Sequence, residues 1–181
     1  MTSPSRGVPV GAIVLVGPMG AGKTSVGRRV ARALGTSFTD TDKVVVRDHG
    51  PIPAVFEQVG EAGFREFERA AVAEALTRGG VVALGGGAIL DARTRADLAG
   101  QRVVFLTVSP RIVAGRIQGT DRPLLAEADP VGRWQQIFAE RRRLYDEVAD
   151  LTLDTSSGPL AAVVAEIVQW AQQTQNSEEQ A

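Results

Sequence analysis

The sequence contains no cysteine, which excludes disulfide bonds and metal sites built on thiolates and fits a reducing compartment. No apolar run approaches the roughly 20 residues that a membrane-spanning helix requires. The apolar stretch at 8–16 follows Arg6, as in a secretory signal, but a glycine-rich loop follows it at once and no cleavage pattern of small residues fits better. We therefore expect a cytoplasmic protein with no membrane partner.

Lysine is also scarce, since Lys23 and Lys43 are the only lysines among twenty basic residues. The formal net charge is −1, so nothing indicates a basic surface for nucleic acid. The 181 residues fit one domain, which we place at 1–181, and a hydrophobic fraction of 44% suffices for a buried core. Nothing in the sequence demands more than a monomer. The ends at 1–8 and 174–181 are predicted to be disordered tails.

Short apolar runs alternate with helical patterns along the whole chain. The runs predict strands at 12–16, 38–40, 81–84, 103–108 and 151–153. Helical spacing or a helix-opening proline predicts helices that end at Gly35, that begin at Pro53, and that cover 64–75, 134–148 and 160–170. This alternation predicts an α/β domain of three layers with a mainly parallel sheet. The irregular segment at about 117–130 is predicted to be a mobile lid.

Residues 17–24, Gly-Pro-Met-Gly-Ala-Gly-Lys-Thr, match the phosphate-loop pattern G-x-x-x-x-G-K-S/T in full. The glycines let the backbone approach phosphate oxygens, and the N–H groups of the loop and of the following helix point at the anion. Lys23 supplies a positive charge to the β- and γ-phosphates, and the Thr24 hydroxyl can bind Mg²⁺. We predict that the loop binds a nucleoside triphosphate.

Two other interpretations of this loop are open. One is a glycine turn between a strand and a helix, with no ligand. The other is a dinucleotide-binding fingerprint, which Gly20 and Gly22 could begin and for which Asp40 lies near the expected ribose position. Its third glycine position holds Ser25, however, and a lysine followed by a threonine has no role in it.

Acidic and glycine clusters follow two of the other predicted strands. Asp40 and Asp42 lie at the end of one strand, where ligands of open α/β sheets bind. One carboxylate could hold Mg²⁺ through water and the other could bind a substrate hydroxyl, although either could instead cap a helix. Residues 85–87 are three glycines, which either expose N–H groups to an oxygenated ligand or form a flexible turn. The only histidine, His49, is interpreted as a surface or turn residue.

The ordered set of motifs resembles the shikimate kinase family. The phosphate loop is followed by Asp-x-Asp at 40–42, Phe-Arg-x-x-Glu at 64–68, Gly-Gly-Gly at 85–87, Arg-Pro-Leu-Leu at 122–125 and an arginine ahead of Leu-Tyr at 144–145. The resemblance covers 11 to about 155. It implies a nucleoside monophosphate kinase-like P-loop fold with a central parallel five-stranded sheet and a lid. It also implies that the protein phosphorylates the 3-hydroxyl of shikimate with ATP and Mg²⁺, in the biosynthesis of aromatic amino acids.

The resemblance also implies a role for each matching residue. ATP would bind through Gly20, Ala21, Gly22, Lys23, Thr24, Ser25, Arg116 and Arg122, with Arg116 against the adenine and Arg122 brought by the lid onto the transferring phosphoryl group. Thr24 and Asp40 would position Mg²⁺. Shikimate would bind within about 41–69 and beyond, through Asp42, Arg65, Gly86, Gly87 and Arg141. Asp42 would also take the proton of the attacking hydroxyl, while Lys23 and Arg122 complete the catalytic set.

Some features depart from the family pattern or leave alternatives open. Arg142 and Arg143 adjoin Arg141, so the choice of Arg141 depends on the family register. Arg65, taken by itself, would be predicted to be a solvated helix residue. The segment between Arg116 and Arg122 is shorter than usual, and the loop at 154–159 lacks a basic residue near the adenine. The alternative functions are another small P-loop kinase, acting on gluconate or a nucleoside monophosphate, and a nucleotide-binding regulator without turnover.

Overall fold

The computed structural model describes residues 11–117 and 129–179, with side chains up to residue 174. The predicted tail at 1–8 and nearly all of the predicted lid, including Arg122, lie outside the described residues. Within the described ranges, no helix is both long enough and apolar enough to cross a membrane.

Five parallel strands form the central sheet. They are β1 (Ile13–Val16), β2 (Phe38–Asp40), β3 (Val81–Ala83), β4 (Arg102–Thr107) and β5 (Leu151–Asp154), in the spatial order β2-β3-β1-β4-β5. The predicted five-stranded parallel sheet is confirmed. After β1 the chain builds one half of the sheet, and it then returns to the other side of β1 to build the second half. The carboxyl end of β1 is therefore a topological switch point, where open α/β sheets bind ligands.

Seven helices connect or follow these strands in the described part of the chain. They are α1 (Lys23–Leu34), α2 (Thr41–His49), α3 (Ile52–Arg78), α4 (Ala92–Leu98), α5 (Pro110–Ile117), α6 (Pro130–Val148) and α7 (Leu160–Glu179), with a short 3₁₀ turn at Ala88–Leu90. Gly60, with φ of 70°, interrupts α3, so the two helical segments predicted from Pro53 and from 64–75 meet at one kink. The patterns do not predict α2, α4 and α5. Helices α4 and α5 are too short to display a helical period clearly, and three consecutive valines in α2 favour a strand.

The end of α7 differs from the prediction. The helical backbone continues to Glu179, whereas the sequence predicts a disordered tail from 174. The reason is that no glycine or proline lies between Gln173 and Glu179 to end the helix.

The core lies on both faces of the sheet, as a three-layer architecture requires. Alternate residues of β1 point to opposite sides: Ile13 and Leu15 pack with α1, α6 and α7, whereas Val14 and Val16 pack with α3, α4 and the end of α6. This double coverage explains why the strands are continuous apolar runs. A third, smaller cluster joins α2 to α3 through Val45 and Phe64. It supports the part of the molecule that lies over the ends of β2 and β3.

Candidate active site

A cleft of about 750 Å³ opens at the carboxyl ends of the strands. Its walls are the loop after β1, the start of α2 and the glycines after β3, together with side chains from α3, α5 and α6. Most of the predicted site residues that the structure describes line this one space: Gly20, Gly22, Lys23, Thr24, Ser25, Asp40, Asp42, Arg65, Gly86, Gly87, Arg116 and Arg141. The exception is Ala21, whose side chain is buried in the core beneath the loop.

The loop at 17–24 ends in the N-terminus of α1. Gly22 has φ of 85°, a conformation that favours glycine, and α1 begins at Lys23 without a side-chain cap or an acidic residue in its first turn. The first N–H groups of that helix therefore remain suited to an anionic ligand. The Lys23 ammonium donates to the carbonyls of Gly17 and Pro18, at 2.8 and 2.9 Å, so the positive charge lies across the loop.

Three donors hold the same loop from outside. The Trp134 indole donates to Met19 O at 2.9 Å, Arg116 Nη1 to Gly20 O at 2.7 Å, and the Thr155 hydroxyl to Ala21 O at 3.0 Å. The C=O and N–H of a trans peptide point in opposite directions, so donors on the Met19 and Ala21 carbonyls turn the next N–H groups the other way. Sequence reasoning missed Trp134 and Thr155, because both partners are more than a hundred residues away in the chain.

Asp40 serves two neighbours with its two carboxylate oxygens. Oδ2 accepts from the Thr24 hydroxyl at 2.6 Å, and Oδ1 accepts from the Lys43 N–H at 3.3 Å, which caps α2. The capping interpretation is therefore confirmed, and Asp40 lies beside Thr24, while their joint role at Mg²⁺ stays a prediction. A hydroxyl and a carboxylate suit Mg²⁺, which prefers oxygen and is usually bound by one or two carboxylates together with phosphates and water. No group of three or more acids or histidines that could hold a metal ion occurs among the described residues.

Two carboxylates lie against the backbone of Gly85. An ideal Cβ on this residue would lie 2.5 Å from Glu68 Oε1 and would overlap Asp42 Oδ1, so a larger residue would displace both carboxylates. The Gly85 N–H donates to the Thr41 hydroxyl at 3.0 Å, which fixes the glycine run to the first residue of α2. Asp42 and the glycine run thus meet in space, although Asp42 lies at the start of α2 and the glycines follow β3.

Arg65 and the buried Glu68 form an ion pair on α3. Arg65 Nη1 donates to Glu68 Oε2 at 2.7 Å, Nη2 donates to Glu61 Oε1 at 3.0 Å, and the guanidinium lies over the Phe64 ring. Glu68 is only 3% exposed. Burial raises the pKa of its carboxyl above the ordinary value, and Asp42 raises it further, while Arg65 and Arg141 act in the opposite direction. Sequence reasoning gave Glu68 no role, although it is the last residue of the Phe-Arg-x-x-Glu motif.

The three consecutive arginines of α6 have different environments. Arg141 is 9% exposed, lines the cleft and donates to Gly86 O at 3.2 Å. Arg142 and Arg143 are exposed, and Arg142 lies over the Phe138 ring. Of the three, Arg141 is thus the one that the structure brings to the predicted substrate side. The Tyr145 hydroxyl, which the sequence did not single out, donates to the same Gly86 carbonyl at 2.6 Å.

Arg116 and His49 are both exposed in the structure. Arg116 is exposed at the rim of the cleft and is hydrogen-bonded to the phosphate loop, so its predicted contact with adenine stays a prediction. His49 ends α2, is exposed and stacks on Phe67 at 3.7 Å between ring centroids, which confirms a surface position.

Comparison with known proteins places this architecture in one family. The model of the family described as SKI, shikimate kinase, matches residues 19–172. A curated shikimate kinase of Corynebacterium efficiens is 45% identical over 86% of this chain and 94% of its own length. The structure of a shikimate kinase from Acinetobacter baumannii in complex with shikimate superposes with a TM-score of 0.86 at 38% identity, covering 91% of this chain and 94% of that one.

A kinase with another acceptor is a more distant match. The crystal structure of a gluconokinase from Sinorhizobium meliloti superposes with a TM-score of 0.65 at 25% identity and covers 95% of this chain and 98% of that one. It shares the architecture with a poorer fit than the shikimate kinase structure. The chain belongs to the shikimate kinase family.

Proposed function

We propose that this protein transfers the γ-phosphoryl group of ATP to the 3-hydroxyl of shikimate, giving shikimate 3-phosphate and ADP. The observation that carries the proposal is the composition of the cleft. A complete phosphate loop faces two arginines and a carboxylate, the groups needed for an acceptor that carries both a carboxylate and hydroxyls.

The phosphate side of the cleft would bind and orient ATP. The N–H groups from Gly20 to Ser25 would hold the phosphates, and Lys23 would exchange its contacts with the loop carbonyls for the β- and γ-phosphates. Arg116 would extend the site towards the adenine. Thr24 and Asp40 would hold Mg²⁺, which, when bound, neutralises charge on the phosphates.

The acceptor side would hold shikimate by its carboxylate and its ring hydroxyls. Arg65 and Arg141 lie on two different helices and both line the cleft, so they can bind one planar carboxylate from two directions. A guanidinium has more N–H donors than the ion pairs of Arg65 use, so Glu61 and Glu68 need not be displaced. The N–H groups of Gly86 and Gly87 would contact ring hydroxyls.

Asp42 would direct the transfer itself. Its carboxylate would accept the proton of the 3-hydroxyl while the hydroxyl oxygen forms a bond to phosphorus and the bond to the leaving ADP oxygen breaks. Such a reaction depends on in-line placement and on neutralised charge more than on covalent chemistry of the protein. We assign the remaining positive charge to Arg122, which the segment at about 117–130, acting as a lid, would bring onto the transferring group.

We further propose a monomeric, single-domain enzyme of the cytoplasm that has no nucleic-acid or membrane partner. The absence of cysteine fits a reducing compartment, and the net charge of −1 offers no basic face to nucleic acid.

A coupled assay of ADP release over a panel of acceptors tests the substrate. We expect turnover with shikimate and little with gluconate or AMP. Turnover of gluconate or AMP in the absence of shikimate turnover would contradict the proposal and favour another small P-loop kinase.

Two substitutions separate the enzyme from a regulator that only binds nucleotide. Asp42→Asn should lower kcat by about 10²–10⁴-fold with ATP binding kept, which is the usual contribution of a positioned acid or base. Lys23→Ala should weaken ATP binding and turnover together. Asp48→Asn makes the same chemical change on the exposed end of α2 and should leave both unchanged. Unchanged turnover in Asp42→Asn would refute its role.

A further inference from the structure

One carbonyl oxygen at the substrate side of the cleft accepts two hydrogen bonds from one helix. Gly86 O accepts from the Tyr145 hydroxyl at 2.6 Å and from Arg141 Nη1 at 3.2 Å. Arg141 and Tyr145 are four residues apart on α6 and therefore lie on the same face of it. A carbonyl oxygen has two lone pairs and accepts both bonds at once, and the tyrosine makes the shorter one.

The tyrosine is a fixed donor. Its side chain is 1% exposed and stacks on Phe105, with 5.0 Å between ring centroids and 22° between ring planes. Burial raises the pKa of Tyr145 to about 12, so the hydroxyl keeps its proton throughout the neutral range. The Gly86 carbonyl therefore has a partner whatever Arg141 does.

This matters because Arg141 has a second task. Under the proposed function, its guanidinium binds the carboxylate of the acceptor. A carbonyl that loses its only donor must find another partner, so a carbonyl that depended on Arg141 alone would hold the guanidinium back. The Tyr145 hydroxyl removes that dependence.

The same bond orients the peptide that follows. The C=O of Gly86 and the N–H of Gly87 belong to one trans peptide and point in opposite directions. A carbonyl drawn towards α6 thus turns the Gly87 N–H away from α6, and Gly87 itself lines the cleft.

We propose that Tyr145 is a positioning residue for the acceptor: its hydroxyl holds the Gly86 carbonyl, which leaves the Arg141 guanidinium available to the acceptor carboxylate and directs the Gly87 N–H into the cleft. The inference rests on the proposed function, since it assigns a further residue to the same site.

Tyr145→Phe removes the hydroxyl and keeps the ring. We expect the KM for shikimate to rise about three- to tenfold, the range for one net hydrogen bond, with kcat and the KM for ATP within about twofold of wild type. Thr94→Val is the matched control, because Thr94 is fully buried and its hydroxyl has no hydrogen-bond partner among the described residues. It should change none of the three constants.

A double-mutant cycle with Arg141→Ala tests whether the tyrosine acts through the arginine. Tyr145→Phe should raise the KM for shikimate by a smaller factor in the Arg141→Ala background than in the wild type. In that background there is no guanidinium for the Gly86 carbonyl to retain. A merely structural tyrosine would give the same factor in both backgrounds, and that result would overturn the proposal. An unchanged KM in Tyr145→Phe, or an equal rise for both substrates, would overturn it too.

The outcome for the wild type separates this inference from the proposed function. A wild-type protein that does not phosphorylate shikimate refutes the proposed function. Wild-type turnover of shikimate, together with a Tyr145→Phe variant that binds it equally well, refutes only the role of Tyr145.

Discussion

Replacing Gly87 by alanine should damage acceptor binding through a neighbouring side chain while the fold is kept. Gly87 has φ of −98° and ψ of −12°, which alanine adopts without strain. An ideal Cβ at this position would overlap the Arg65 guanidinium, with 2.5 Å to Cζ and 2.6 Å to Nη2. Since unstrained heavy atoms approach to about 3.5 Å, the guanidinium must move by at least about 1 Å.

The size of the effect follows from what Arg65 contacts. The side chain is the flexible partner in this clash, so it will yield before the backbone does, and its 2.7 Å bond to Glu68 will be stretched. Under the proposed function, the displaced guanidinium also loses a hydrogen bond to the acceptor carboxylate. A hydrogen bond to a charged group contributes about 1.5–3 kcal/mol, which corresponds to about a 10- to 100-fold rise in the KM for shikimate. A misplacement of about 1 Å has a similar cost in other active sites. The KM for ATP should stay within about twofold.

Steady-state kinetics with each substrate varied in turn, combined with thermal unfolding, make the test. Gly100→Ala is the matched control, because an ideal Cβ there has no neighbour within 4 Å and the residue lies at the opposite end of β4 from the cleft. A double-mutant cycle with Arg65→Ala asks whether the methyl group acts through the arginine. If Gly87→Ala raises the KM for shikimate as much without Arg65 as with it, the methyl group acts on the substrate directly and the reasoning is refuted.

The remaining predictions concern the arginine cluster and the buried acid. Arg141→Ala should raise the KM for shikimate about 10- to 100-fold, whereas Arg142→Ala, an exposed neighbour, should not; equal effects in the same kinetic assay would contradict the assignment. The folded state raises the pKa of Glu68, so the native protein binds more protons than the unfolded chain above the ordinary value of 4.5, and this group's contribution to stability falls as pH rises through that window. Urea unfolding at several pH values should therefore show that wild type loses stability relative to Glu68→Gln from pH 4.5 upwards; a difference independent of pH would refute this.

Features that depend on local chain geometry could be predicted from the sequence. The strands are continuous apolar runs because the sheet is covered on both faces, and the phosphate loop is defined by glycines whose positions only a tight turn explains. Asp40 could be expected to cap a helix or to lie at a metal site. Its carboxylate has two oxygens, so it caps α2 and also accepts from Thr24, while its role at Mg²⁺ stays a prediction. Helix α2 could not be predicted, because Val44, Val45 and Val46 favour a strand and the Asp40 cap and the burial of Val45 override that preference.

Contacts between distant segments could not be predicted from any local pattern. Trp134, Thr155 and Tyr145 each donate to a carbonyl at least 59 residues away. Every residue has a backbone carbonyl, so the sequence cannot indicate which one accepts the bond. Glu68 differs, since its motif was visible while its burial was not. The packing of α3 against the glycine run places this carboxylate beside Gly85. As a result, both members of the Arg65–Glu68 ion pair line the cleft.

Helical periodicity distinguishes Arg141 from Arg142 and Arg143 without any appeal to the family register. Trp134, Ile137, Arg141 and Tyr145 follow one another at intervals of three and four residues, which places them on one face of the helix, and all four are buried. Arg142 and Arg143 are rotated from that face by roughly 100° and 200°. An arginine on an apolar face must find partners for its charge, whereas one on the opposite face needs only water. Helical spacing alone therefore identifies Arg141, of the three arginines, as the candidate for a ligand-binding residue.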